Sequence, residues 1–210
     1  MKIIIIDYGS GNVASVYNAL RNIDSNCLIE ITNNESELKS STHIILPGVG
    51  AFNDCMQGLR QQPNFLSELR KQVIKEKKPF LGICVGMQVL ASIGFENGEH
   101  QGLNFINGRV EKLAEKNLKI PHMGWNELMI KNNKHPLLKN IAQGDHFYFA
   151  NSYHFICQNE NNVLAQVQYG SNKINAIIAK ENIVGAQFHP EKSAEKGLEF
   201  LKNFITFRPV

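Results

Sequence analysis

Gly82-Ile83-Cys84-Val85-Gly86 has the form G-x-C-x-G, the thiol counterpart of the elbow in which a sharp strand-to-helix turn lifts a nucleophile out of a sheet. A residue held there adopts a strained backbone conformation, and its neighbours in space must lack side chains, which is the reason for Gly82 and Gly86. The chemistry on offer is nucleophilic attack by a thiolate, favoured at a helix N-terminus by free N–H groups and the helix dipole. From Val85 onward the same N–H groups can receive a developing oxyanion. The plainer alternative is a buried structural cysteine with packing glycines. The apolar run before Cys84 and the helix-like run after it favour the nucleophile.

A thiol nucleophile needs a base and a group that orients the base. "QFHPE" supplies both, with His189 following the apolar run 183–188 and Glu191 two residues on. In extended backbone residues i and i+2 point to the same side, so the Glu191 carboxylate is expected to orient the His189 imidazole. His43, His100, His135 and His146 have no such setting and read as ordinary histidines. Pro47-Gly48-Val49-Gly50, at the exit of another apolar run, holds glycines whose N–H groups can turn toward an oxyanion. One motif points elsewhere. Gly9-Ser10-Gly11-Asn12-Val13-Ala14 satisfies G-x-G-x-x-A, and Glu30 lies downstream where a ribose-binding acid would stand. A Rossmann-like nucleotide-binding module is therefore the alternative from a different class, against the plainer reading of a tight strand-to-helix turn.

These groups meet only if the fold carries them to one edge. "KIIIIDY" (2–8), "NCLIEIT" (26–32), "THIILPGVG" (42–50) and "PFLGIC" (79–84) read as buried strands. Between them, "NVASVYNALRNI" sets Val13, Val16, Leu20 and Ile23 at helical spacing, and "FLSELRKQVIKEKK" does the same with Leu66, Leu69, Val73 and Ile74. "VGMQVLASIG", after the cysteine, predicts a further helix. Strand–helix alternation with wholly apolar strands predicts a parallel sheet covered on both faces. The second half turns to strand-like runs joined by short turns, from "GLNFINGRVEKL" to "IVGAQFHPE", so antiparallel strands are expected there. "SAEKGLEFLKNFITF" closes the chain as an amphipathic helix. The expected fold is α/β, with a mixed, mainly parallel central sheet flanked by helices and antiparallel strands added in the C-terminal half. No linker, repeat or low-complexity segment appears, so residues 1–210 are expected to form a single domain.

Composition narrows the partners. With 22 basic and 19 acidic side chains the net charge is +3, which gives no clustered basic footprint for nucleic acid. The four cysteines include no CxxC pair, which argues against a disulfide framework or zinc site and for a reducing compartment. Four isoleucines after Met1-Lys2 are too few for a signal peptide, and no run is long enough to span a membrane. A cytoplasmic location is expected.

The G-x-C-x-G elbow, the upstream PGVG loop and the H-P-E near the C-terminus together resemble the class I (triad) glutamine amidotransferases. Six blocks narrow the resemblance: "DYGSGN" (7–12), "LPGVGAF" (46–52), "GICVGMQ" (82–88), "IPHMGWNE" (120–127), "FYFANSY" (147–153) and "QFHPEKS" (187–193). In this order, and across nearly the whole chain, they are similar to the glutaminase subunits of imidazole glycerol phosphate synthases. The resemblance implies a flavodoxin-like fold in which Cys84 attacks the side-chain amide of glutamine, His189 protonates the departing ammonia and Glu191 orients His189. It implies oxyanion donors at Gly50 and Val85, and glutamine contacts from Gly50, Gln88, Glu96, Ser152 and Tyr153. It calls for no cofactor and no metal. The ammonia would pass to a partner (β/α)8-barrel cyclase in a heterodimer, with Asn12, His122, Met123, Gly124, Trp125 and Lys192 on the docking face. There the barrel would form imidazole glycerol phosphate and an aminoimidazole carboxamide ribotide in histidine biosynthesis. On this mapping "DYGSGN" is a docking loop, not a nucleotide loop. Two departures stand out: Asn151 where the family has His, and Val85 where it has Leu. Because Asn151 lies beside the substrate and partner positions, a paralogous glutaminase subunit, feeding ammonia to enzymes that amidinate surface sugars, stays open as an alternative. So does a cysteine hydrolase of other specificity, such as a peptidase.

Overall fold

Isoleucine fills the first strand: β1 (Lys2–Ile6) buries Ile3, Ile4, Ile5 and Ile6 completely. Successive side chains point to opposite faces, so both faces of the sheet must be covered. The computed structural model, which describes residues 1–114 and 118–208, continues with α1 (Val13–Ile23), β2 (Leu28–Thr32), α2 (Glu35–Ser40), β3 (His43–Gly48), α3 (Phe52–Gln61), α4 (Phe65–Arg70), β4 (Phe80–Cys84) and α5 (Val85–Gln88). The second half holds β5 (Ile93–Gly94), β6 (His100–Gln101), β7 (Gly108–Lys112), β8 (His122–Glu127), β9 (Met129–Ile130), β10 (His146–Asn151) and β11 (Tyr153–Cys157). After these come β12 (Val163–Tyr169), β13 (Asn172–Lys180), β14 (Ile183–Ala186) and α6 (Ala194–Thr206).

The main sheet has the order β2-β1-β3-β4-β14-β13-β12-β9. Its first five strands are parallel, and β13, β12 and β9 continue it antiparallel. This is the mixed, mainly parallel sheet expected from the strand texture. β8 pairs with β10, and β11, β7, β5 and β6 form a third sheet. Right-handed crossovers place α1 on one face of the main sheet and α2, α3 and α4 on the other. α6 joins α1, while α2 and α3 pack on α4. The chain reverses direction in the sheet between β1 and β3, the kind of switch point at which open α/β sheets bind ligands. The carboxyl ends of β1, β3, β4 and β14 therefore share one edge. Behind it Phe147, Phe149, Phe188 and Phe200 are fully buried, with Phe147 and Phe188 ring centroids 4.3 Å apart. Each such ring contributes roughly 1.5–3 kcal/mol by burial.

Three local expectations need correction. The predicted helix after Cys84 is cut to the four residues of α5. The carbonyls of Val89, Leu90 and Ala91, which a longer helix would use, accept instead from the backbone N–H groups of Leu103, Phe105, Ile106 and Asn104. The segment 52–61, to which the sequence reading gave no element, is α3, with Phe52, Cys55, Met56 and Leu59 buried at helical spacing. β14 stops at Ala186; His189 is itself extended, but Pro190–Lys192 is a 3₁₀ turn, so Glu191 does not continue the extended run. Among the described residues no helix is long and apolar enough to cross a membrane.

Candidate active site

Cys84 ends β4 with φ 53° and ψ −109°, a conformation that costs a non-glycine residue on the order of 1–3 kcal/mol. The turn is held by close packing. A Cβ on Gly82 would lie 2.3 Å from the Gly86 carbonyl oxygen, and one on Gly86 would lie 1.9 Å from the Leu46 carbonyl oxygen of β3. Both glycines are thus required by neighbouring backbone, as the elbow motif anticipates. Val85 opens α5, so its N–H has no helical carbonyl to bond.

His189 arrives from β14. Its N–H donates to the Tyr148 carbonyl at 2.9 Å, and its own carbonyl accepts from Ser193 Oγ at 2.7 Å. Ser193 Oγ also accepts from the Tyr148 N–H, so the turn is pinned to β10 on both sides. Within it, His189 Nδ1 bonds Glu191 Oε1 at 2.9 Å, and the two side chains are only 4% and 1% exposed. The 3₁₀ turn, not the extended backbone expected, brings them together. Nδ1 is committed to the carboxylate, which leaves Nε2 for the thiol side. Burial works against the imidazolium, yet hydrogen bonding and charge from Cys84 and Glu191 outweigh it and raise His189 to about 10. The imidazole is therefore protonated at neutral pH. Gln187, completely buried, points its Nε2 at Cys84 Sγ, 3.8 Å away.

A cavity of about 220 Å³ opens at the thiol, lined by Gly50, Cys84, Val85, Gln88, Glu96, Pro121, Ala150, Asn151, Ser152 and Tyr153. It is smaller than the roughly 300–1,000 Å³ of sites for drug-sized ligands and suits a small polar molecule. The structure thus gathers Gly50, Val85, Gln88, Glu96, Ser152 and Tyr153 around Cys84. Glu96 Oε2 accepts the Phe52 N–H at 2.7 Å, tying the carboxylate to the start of α3. Gln88 Nε2 donates to the Tyr153 carbonyl at 2.9 Å and to Gln187 Oε1 at 3.2 Å. Asn151 Nδ2 reaches the same Tyr153 carbonyl at 3.0 Å.

Other positions divide differently. On β8 side chains alternate, so Met123 and Trp125 are 65% and 53% exposed. Trp125 meets Tyr148 edge-on across the strand pair. Gly124 lies between them with φ 135°, and Lys192 is exposed. His122, expected on the docking face, turns the opposite way: it is 3% exposed and packs against Phe149 and Tyr169. Asn12 is half-buried. It stands at the start of α1 without capping it, and its Nδ2 reaches in to Glu191 Oε1 at 3.1 Å. The G-x-G turn therefore serves the His189–Glu191 pair. Glu30, the would-be ribose ligand, is paired with Lys2 at 2.9 Å. Sequence reasoning gave no role to Gln187, Pro121 or Ala150. For Gln187 a signal was present in its place two residues before His189.

With a cysteine on an elbow, a buried histidine–glutamate pair beside it and a small polar cavity in front, the arrangement suits acyl transfer from a small amide. The chain belongs to the glutamine amidotransferase class-I family, which it matches over residues 4–207, and it is a glutamine amidotransferase. Among curated relatives, it is 43% identical to "Imidazole glycerol phosphate synthase subunit HisH" of Zymomonas mobilis subsp. mobilis, over 99% of this chain and 96% of that one. The HisH of Rhodospirillum rubrum is 44% identical over the full length of both. Solved structures share the fold at lower identity. One described as "glutamine amidotransferase" superposes with a TM-score of 0.73 at 19% identity, covering 97% of this chain and 99% of the other. PurLQS from Thermotoga maritima gives 0.67 at 18%, covering 97% of each chain.

Proposed function

We propose that this glutamine amidotransferase is the glutaminase subunit of an imidazole glycerol phosphate synthase, serving histidine biosynthesis. Full-length identity of 43% and 44% to HisH proteins supports the assignment. The observation that carries the chemistry is the buried 2.9 Å His189–Glu191 pair beside Cys84. In the proposed reaction Cys84 Sγ, as thiolate, attacks the side-chain carbonyl carbon of glutamine. N–H groups at Val85 and Gly50 receive the oxyanion. His189 gives its Nε2 proton to the amide nitrogen, the C–N bond breaks and ammonia departs, leaving a γ-glutamyl thioester. Water, losing its proton to His189, then attacks the thioester, the C–S bond breaks and glutamate leaves. Gln88, Glu96, Ser152 and Tyr153 hold the substrate's amino-acid end, and no cofactor or metal takes part.

The ammonia passes to a (β/α)8-barrel cyclase subunit in a cytoplasmic heterodimer. That barrel docks over Met123, Gly124, Trp125 and Lys192, with Asn12 and His122 behind them. Residues 1–210 act as one domain, without nucleic acid or membrane. Transfer to a surface-sugar amidotransferase has weaker support, because the full-length relatives named above are HisH proteins. The reading is tested with Cys84→Ala. This variant is expected to abolish glutamine-dependent product formation in the complex while ammonium salts still drive the cyclase. Glutamate release retained by Cys84→Ala excludes the assignment.

A further inference from the structure

Two buried polar atoms without partners stand on facing residues, one of which, Asn151, lines the cavity. β8 and β10 pair antiparallel with His122 directly opposite Asn151. Residues so placed project to the same face with Cβ atoms roughly 4.5–5.5 Å apart, and these two are 3% and 4% exposed. Their other contacts fix which atom of each is left over. Asn126 Nδ2 donates toward His122 Nε2 at 3.3 Å, and burial holds His122 down to about 4. A neutral ring that accepts on Nε2 carries its proton on Nδ1, and Nδ1 is buried with no partner. Asn151 spends its Nδ2 on the Tyr153 carbonyl, so the leftover atom is the acceptor Oδ1, also buried with no partner. An unmet donor and an unmet acceptor on facing residues are each costly. One small molecule with both a lone pair and N–H or O–H groups satisfies the two together.

Position suggests which molecule. Asn151 lines the Cys84 cavity, and the chain neighbour of His122, Met123, emerges on the exposed side of β8. We infer that His122 Nδ1 and Asn151 Oδ1 form a station for ammonia leaving Cys84, taking its lone pair on the His122 N–H and one of its N–H groups on Asn151 Oδ1. The inference rests on the glutaminase reading of the cavity. Ammonium ion has no lone pair to offer His122, so the station selects the neutral, reactive form.

The test uses the complex with the cyclase at saturating partner, with a second enzyme consuming any ammonia that escapes to solvent. What is read is cyclase product formed per glutamate released. Asn151→Leu removes the acceptor, and His122→Phe removes the donor while keeping the ring stack. Each is expected to lower that ratio by about tenfold, the effect of one lost hydrogen bond. Asn151→His, which restores a polar side chain, is expected to recover much of it, and because product is counted per glutamate released, a change in glutaminase rate alone leaves the ratio unmoved. An unchanged ratio in both Asn151→Leu and His122→Phe overturns the station. Should Asn151→Leu release no glutamate, His122→Phe decides, since His122 is not among the cavity-lining residues. Absence of glutamate release by the unaltered complex would instead refute the glutaminase reading.

Discussion

One oxygen of Glu191 serves two donors, His189 Nδ1 at 2.9 Å and Asn12 Nδ2 at 3.1 Å. The arrangement fixes the orientation of the imidazole and, with Cys84, holds it as an acid. Because burial alone would lower His189, its value of about 10 depends on Cys84 and Glu191. Cys84→Ala and Glu191→Gln are each expected to bring the His189 titration, followed by NMR, down toward the ordinary value near 6.5. A titration point unmoved by both would contradict the coupling. The sign for stability follows: a base raised on folding stabilises the native state fully below its unfolded value of 6.5, and that contribution is lost as pH rises through about 10. Melting temperature should therefore fall across that window, and less so in Glu191→Gln. The pairing of His189 with Glu191 was legible from two-residue spacing, although the backbone that achieves it was misjudged. Asn12 was not legible as its third member, because the residues lie 179 positions apart and no local pattern joins them.

At the scale of elements, the elbow is a packing problem before it is a catalytic device. Gly86 meets the β3 backbone so closely that any Cβ overlaps the Leu46 carbonyl. Gly86→Ala should cost about 3 kcal/mol or more, read from the denaturant midpoint. Gly9→Ala, with a φ of 89° and no atom within 4 Å of an added Cβ, should cost only about 1 kcal/mol. Equal stabilities for the two variants would contradict the close approach of β3 and β4. The strands and α1 were readable from their apolar periodicity. α5 was overextended because its helical continuation is stopped by hydrogen bonds from residues 103–106, a tertiary competition that local propensity does not record. α3 has a readable apolar face in Phe52, Cys55, Met56 and Leu59, but it is short and begins directly after the Gly48–Gly50 loop.

On the scale of the whole molecule, alternation of strands and helices revealed a parallel sheet, and the hairpins revealed its antiparallel extension. Strand order stayed hidden, since β14 enters between β4 and β13 through non-local pairing. That insertion carries the His189 turn alongside Cys84 and creates the site. It also sets β8 and β10 over the cavity, with Met123 and Trp125 outward and His122 inward. The proposed reaction requires that this convergence make Cys84 the nucleophile toward glutamine. It is tested most directly by treating the complex with a glutamine analogue that carries an electrophilic ketone in place of the amide, then mapping the label by mass spectrometry. One label per chain is expected, on Cys84, slowed by added glutamine and lost in Cys84→Ala. Labelling of Cys27, Cys55 or Cys157 instead, or glutamate release undiminished after Cys84 is fully labelled, contradicts it.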